Sequence, residues 1–124
     1  MPAGSSPVVV NTDPLLALGA CGQIGLLQVL HTQVVAPQPV LEELERGQGR
    51  KDLMGAAVLC PPWMQVLPAR QPPSQLLQAH LDEGEASVIA VALDQGIRLV
   101  LMDERRGRAV ARTMGLAVTW RRGG

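Results

Sequence analysis

Hydrophobic positions along the chain fall into short unbroken runs, each followed by a longer stretch in which they recur at helical spacing. Val8-Val9-Val10 is a β-branched run of the kind that fills a strand buried on both faces. Asn11-Thr12-Asp13-Pro14 breaks it and predicts a strand-to-helix turn, with Asp13 as the cap and Pro14 at the first helical position. The helix continues through Leu15, Leu16 and Leu18 to the glycines near Gly19 and Gly22, and a shorter one follows from Ile24 to Leu30. Gln33 to Ala36 predicts a second strand. Pro37-Gln38-Pro39 then opens a helix from Val40 to about Arg46, closed by Gly47. Residues 47–56 are polar and glycine-rich, a loop or lid, and a strand is expected around Met64–Leu67. Pro68 to Pro73 is another loop, and Ser74 caps the next helix. Glu83 to Gln95 is apolar almost all round, which predicts a helix buried between layers, ended by Gly96. Leu99–Met102 is the clearest strand, Arg105–Met114 the last helix, Gly115 its stop and Leu116–Trp120 the final strand.

Strands alternating with helices from end to end predict an α/β fold with a central parallel sheet and right-handed crossovers. The 124 residues suit one domain, placed at 8–120, with a flexible segment at 1–7 and a frayed tail at 121–124. Phe and Tyr are absent and Trp occurs twice, so the core is aliphatic, and base-stacking modules that need exposed rings are excluded. No apolar stretch approaches the roughly 20 residues of a membrane span. The first residues lack the basic start and apolar run of a signal peptide, and a cytoplasmic protein is expected. Cys21 and Cys60 form no CxxC pair, which predicts two buried thiols rather than a zinc site.

Charge changes the picture more. Lys and Arg total 11 and Asp and Glu total 11, a formal net charge of zero, yet residues 1–102 carry nine acids and five bases while 103–124 carry two acids and six arginines. Ligands of open α/β sheets collect beyond the carboxyl ends of the strands. Val10 runs there into Asn11-Thr12-Asp13, and Met102 into Asp103-Glu104. Glu85 falls in the first turn of the buried helix. At about 100° per residue, Val40, Leu41 and Leu44 share a helix face with Glu43 at its border and Glu42 further out. Converging carboxylates repel unless they share a proton or a cation, and oxygen ligands without His or Cys suit Mg²⁺ or Mn²⁺. Taken singly, each acid is equally well read as structural: Asp13 as a cap, Glu85 as a favourable charge at a helix N-terminus, Asp103 as a strand terminator.

Other signals are plainer. Gly19-x-x-Gly22-x-x-Gly25 is not a dinucleotide fingerprint and lies a helix too late for one, so helix ends and close packing account for it. Lys51 has no phosphate-loop context, and His31 and His80 have no partner at ligand spacing. A receiver domain is excluded because no Lys ends the fifth strand. Arg105, Arg106, Arg108 and Arg112 read equally as a solvated helix face or as holders of phosphate.

The segments VVVNTDPLLAL, VVAPQPVLEEL, LDEGEASVIAVAL and LVLMDERRGRAVARTMGLAV, in that order, resemble the PIN-domain nucleases, most nearly a short branch related to the VapC toxins. The likeness spans Val8 to Trp120. It implies a three-layer α/β/α fold with a central parallel sheet and Mg²⁺- or Mn²⁺-dependent hydrolysis of RNA. It places the family's site at Asn11, Glu43, Glu85 and Asp103, with Asn11 where an Asp is usual and Ser87 where this branch often has a further Glu. Asp13, two residues past Asn11, is the candidate replacement for the missing charge. The resemblance thus implies Asp13, Glu43, Glu85 and Asp103 as metal ligands and Arg105, Arg106 and Arg108 as RNA contacts. It further implies an RNA substrate, an antitoxin partner and a homodimer, as in a type II toxin. The alternative is a degenerate PIN domain that binds RNA or a protein partner without cutting; a third reading is an α/β domain with a purely structural, partner-binding role.

Overall fold

The computed structural model describes residues 6–46, 56–70, 74–103 and 105–119. In chain order the elements are β1 (Val8–Val10), α1 (Thr12–Ala20), α2 (Gly25–Leu30), β2 (Val34–Pro37), α3 (Gln38–Arg46), α4 (Ala56–Leu59), β3 (Gln65–Leu67), α5 (Gln75–His80), α6 (Glu83–Gln95), β4 (Leu99–Leu101), α7 (Arg105–Thr113) and β5 (Ala117–Thr119). The strands form one sheet in the order β3-β2-β1-β4-β5, every neighbouring pair parallel. Helices cover it in a three-layer α/β/α arrangement, with α6 packed on β1, β2 and β4.

The two aliphatic runs form neighbouring strands at the centre. Val8 is registered against Leu99, Val9 against Val100 and Val10 against Leu101. All of β1 and β2 is buried, whereas the edge strands β3 and β5 are half-buried or exposed. Val88, Ile89 and Val91 of α6 are fully buried against this layer, each worth about 1.5–3 kcal/mol of apolar transfer. Ser74 caps α5 as expected, its Oγ accepting from the Leu77 N–H at 3.3 Å. Gly96 ends α6 in the left-handed conformation at φ +67°, where a side chain would be strained.

Some expectations are corrected. α1 begins at Thr12 rather than beyond Asp13, and Asp13 is its second residue, not its cap. The cause is the sheet: the Asn11 N–H donates to the Leu101 carbonyl at 3.0 Å, which prolongs the β1–β4 ladder by one residue and starts the helix immediately after it. β2 ends at Pro37 and α3 starts at Gln38, so Pro39 lies inside the first helical turn, where its missing donor is harmless. Ala56–Leu59 adds a short helix that the sequence pattern did not predict. Cys21 is exposed and Cys60 half-buried, so the expectation of two buried thiols fails for Cys21, which follows the end of α1, and is met only in part by Cys60. Of the loop or lid expected at 47–56, Ala56 belongs to α4 and the rest lies outside the described residues, as do the tail at 121–124 and positions 1–5 of the N-terminal segment. No helix among the described residues is long and apolar enough to cross a membrane.

Candidate active site

The strand order reverses direction beside β1. From β1 the chain moves out to β2 and β3, then returns to place β4 on the other side. Such a switch point opens a crevice at the carboxyl ends of the two central strands. Asn11 leaves β1 there, and Asp103 lies just beyond β4.

Asn11 is only 5 % exposed, and its Oδ1 has no hydrogen-bond partner among the described residues. A buried amide oxygen in that state carries an uncompensated cost. Its backbone is extended (φ −96°, ψ 174°), and the side chain does not cap α1. Thr12 next to it is also buried, and its Oγ1 donates to Glu43 Oε1 at 3.1 Å. Val40 and Leu44 bury the inner face of α3, which leaves Glu43 exposed at the border, as the helical spacing predicts. Thr12 was not singled out from the sequence; three polar residues in a row after β1 gave no sign which would meet α3.

The first turn of α6 forms the opposite wall. Asp82 is its N-cap, and Asp82 Oδ1 accepts from the Glu85 N–H at 2.8 Å while Glu85 Oε1 accepts from the Asp82 N–H at 3.1 Å. This reciprocal box satisfies two backbone donors at the helix end. The spacing Asp82-x-x-Glu85 is a capping-box signal that marks Asp82 in the sequence, although Asp82 is not among the candidates above. Glu85 is buried, and its Oε2 lies toward α7: a methyl group on Gly107 would stand 3.3 Å from it and 3.4 Å from Met102 Cε. A methyl group on Gly84 would stand 3.0 Å from Glu43 Oε1, 3.2 Å from Asn11 Oδ1 and 3.5 Å from Asp82 Oδ1. Glycine at 84 therefore leaves room for three side-chain oxygens from three parts of the chain. Ser87, at the position of the branch's further Glu, donates to the Gly84 carbonyl at 2.7 Å within its own helix.

The remaining candidates are more dispersed. Asp13 is half-buried in the first turn of α1, about 100° around the helix from Thr12. Asp103 is half-buried between β4 and α7. Arg105 is exposed and Arg108 half-buried at the start of α7, while the Arg106 side chain lies outside the described set. Among the described residues no group of three or more His, Cys, Asp and Glu side chains is arranged to hold a metal ion. Cys60 offers no alternative nucleophile: burial, and secondarily the charge of Glu45, push its thiol pKa up, and its Sγ donates to Met64 Sδ at 3.4 Å. Two cavities lie away from these acids, about 430 Å³ beside Arg98 and Leu99 at the amino edge of the sheet and about 210 Å³ between α5 and α7.

A family model for the PIN domain, of the DUF3368 type, matches residues 7–120. The chain belongs to the PIN-domain family. PIN domains are nucleases as a class and typically use divalent metals. In this PIN domain the donor chemistry fits such an ion, because the groups at the switch point are all oxygens and the buried Asn11 Oδ1 lacks a partner. No curated protein matches the chain.

Proposed function

We propose that this PIN domain is a metal-dependent endoribonuclease and the toxin of a type II toxin–antitoxin pair. The observation that carries the reading is the buried, unpartnered Asn11 Oδ1 facing the same point as Glu43 Oε1 at the carboxyl edge of β1. Glu43 and Asp103 would hold Mg²⁺ or Mn²⁺, with Asn11 or Asp13 completing the set, while Glu85 keeps its Oε1 on the helix cap. When bound, the cation supplies Lewis-acid stabilisation of the phosphodiester oxygens and eases ionisation of the attacking water. Thr12 orients Glu43 through its hydroxyl. Arg105, Arg106 and Arg108 steady the phosphates of the RNA from the start of α7, since a guanidinium fork matches phosphate geometry. A cytoplasmic homodimer with an antitoxin partner belongs to the same reading.

A second reading is favoured by two features: Asn11 brings no charge, and Glu85 Oε1 is engaged in the helix cap. It is a PIN domain that binds RNA or a protein partner without cleavage. RNA cleavage with Mn²⁺ separates the two, comparing the native chain with Asp103→Asn and Asn11→Asp. Activity abolished in the first and raised in the second supports the nuclease. No cleavage by any of the three supports binding alone.

A further inference from the structure

We propose that Asp82 supplies the negative charge that Asn11 lacks, so that the cation-binding cradle of this chain is Asn11, Glu43 and Asp82 around Gly84. This rests on the reading that a divalent cation binds at the switch point, and it adds a ligand that the family pattern does not assign. Three side-chain oxygens lie within 3.5 Å of the point where a Gly84 methyl would stand: Glu43 Oε1, Asn11 Oδ1 and Asp82 Oδ1. They come from α3, the end of β1 and the start of α6. The floor of the cradle is the buried amide oxygen without a partner, and the rim is two exposed carboxylates.

The distribution of charge has a physical rationale. A carboxylate at position 11 would sit almost wholly out of water beside Glu43, where both desolvation and repulsion oppose its ionised form. The same charge at Asp82 stays hydrated in the metal-free protein and still faces the cradle. Asp82 is also held in place, because its Oδ1 accepts from the Glu85 N–H and its own N–H donates to Glu85 Oε1. One N–H bond leaves a carboxylate most of its acceptor capacity. A ligand fixed before the ion arrives loses little freedom on binding.

Calorimetric titration of the full metal-free chain with Mn²⁺ tests this, using Asp82→Asn and Asp82→Ser, both of which keep an N-cap acceptor. The expected result is a loss of Mn²⁺ affinity of about 10–100-fold in both, with the melting temperature of the metal-free protein little changed. Adding Asn11→Asp to Asp82→Asn should restore most of the affinity, since the charge then returns from the other side. If both variants bind Mn²⁺ like the native chain while Glu43→Gln is weakened, the cation site stands and Asp82 is only a cap. If the native chain takes up no Mn²⁺ at all, the site itself is wrong and Asp82 falls with it.

Discussion

On the Gly84 side of the first turn of α6, three oxygens approach one point, and the most buried of them has no partner. On the Glu85 side, a carboxylate equally buried has one oxygen closed on the helix's own N-terminus and the other turned toward Gly107 of α7. The two sides are one residue apart, yet one is finished as a folded structure and the other is not. Helix N-termini present unsatisfied N–H groups and favour anions, so an acid at the third position is consumed locally. Asn11 has no such outlet, because its N–H is spent on the sheet and its side chain caps nothing. Under the proposed function the difference separates stability from activity: Glu85 holds the helix end, and the Asn11 side is where the cation would bind.

The largest expected effect comes from putting a charge where the open side is driest. Asn11→Asp buries a carboxylate beside Glu43 and should destabilise the metal-free protein by about 2 kcal/mol or more. Saturating Mn²⁺ should return most of that loss, because an ion that binds only the folded state adds its binding free energy to stability. Urea unfolding in EDTA and in Mn²⁺ measures both. Equal stability of the variant and the native chain in EDTA would mean that the Asn11 pocket is not closed to water.

On the finished side, Glu85→Ala removes half of the capping box and should cost about 1–2 kcal/mol. Glu85→Gln retains an oxygen for the Asp82 N–H and should recover most of it. Thermal unfolding of the pair decides whether the carboxylate's charge or its hydrogen bond matters to folding. A Gln variant as damaged as the Ala variant would show that the charge is structurally required, and the contrast between the two sides would weaken.

How far this arrangement was legible beforehand follows from how local each cause is. Val8–Val10 and Leu99–Leu101 could be read as strands because a parallel strand covered on both faces needs an unbroken apolar run. Glu43 could be placed because its position depends only on the helical repeat of Val40 and Leu44. The local pattern points to Asp13 as a cap, whereas one extra rung between Asn11 and Leu101, a contact across the sheet, decides where α1 starts. The bond from Thr12 to Glu43 spans 31 residues and has no local signature. Asp82 did have one, in its spacing from Glu85, but the cap pattern says nothing of its approach to Asn11. Nor could the pattern show that Gly84 is needed for what it leaves empty.

Thr12→Val probes the open side more gently. It removes the hydroxyl that orients Glu43 but keeps the shape, and Glu43 is exposed enough for water to replace the lost donor. The expected cost is about 0.5–1 kcal/mol in stability. Mn²⁺ affinity should fall as well, because Glu43 then has more orientations to give up. Unchanged affinity in a Val variant that folds normally would show that Glu43 needs no positioning.

The smallest net effects on stability come from the two glycines, and Mn²⁺ affinity makes their difference the sharpest comparison of the two sides. In helices alanine is favoured over glycine by up to about 1 kcal/mol, so each substitution starts with a gain. At Gly84 the nearest obstacles are the far end of an exposed Glu43 side chain at 3.0 Å, which can swing into solvent, and the buried Asn11 Oδ1 at 3.2 Å, which has little room to move. At Gly107 the obstacles at 3.3 and 3.4 Å belong to a buried carboxylate tied into the capping box and to a fully buried Met102. Tight contact with a buried group therefore offsets that gain at both positions, and Gly84→Ala and Gly107→Ala should each stay within about 1 kcal/mol of native stability. Mn²⁺ affinity should separate them, lost in Gly84→Ala where the new methyl displaces Glu43, and largely kept in Gly107→Ala. Loss of affinity in the Gly107 variant alone would move the ion to the Glu85 side and overturn the division between the two.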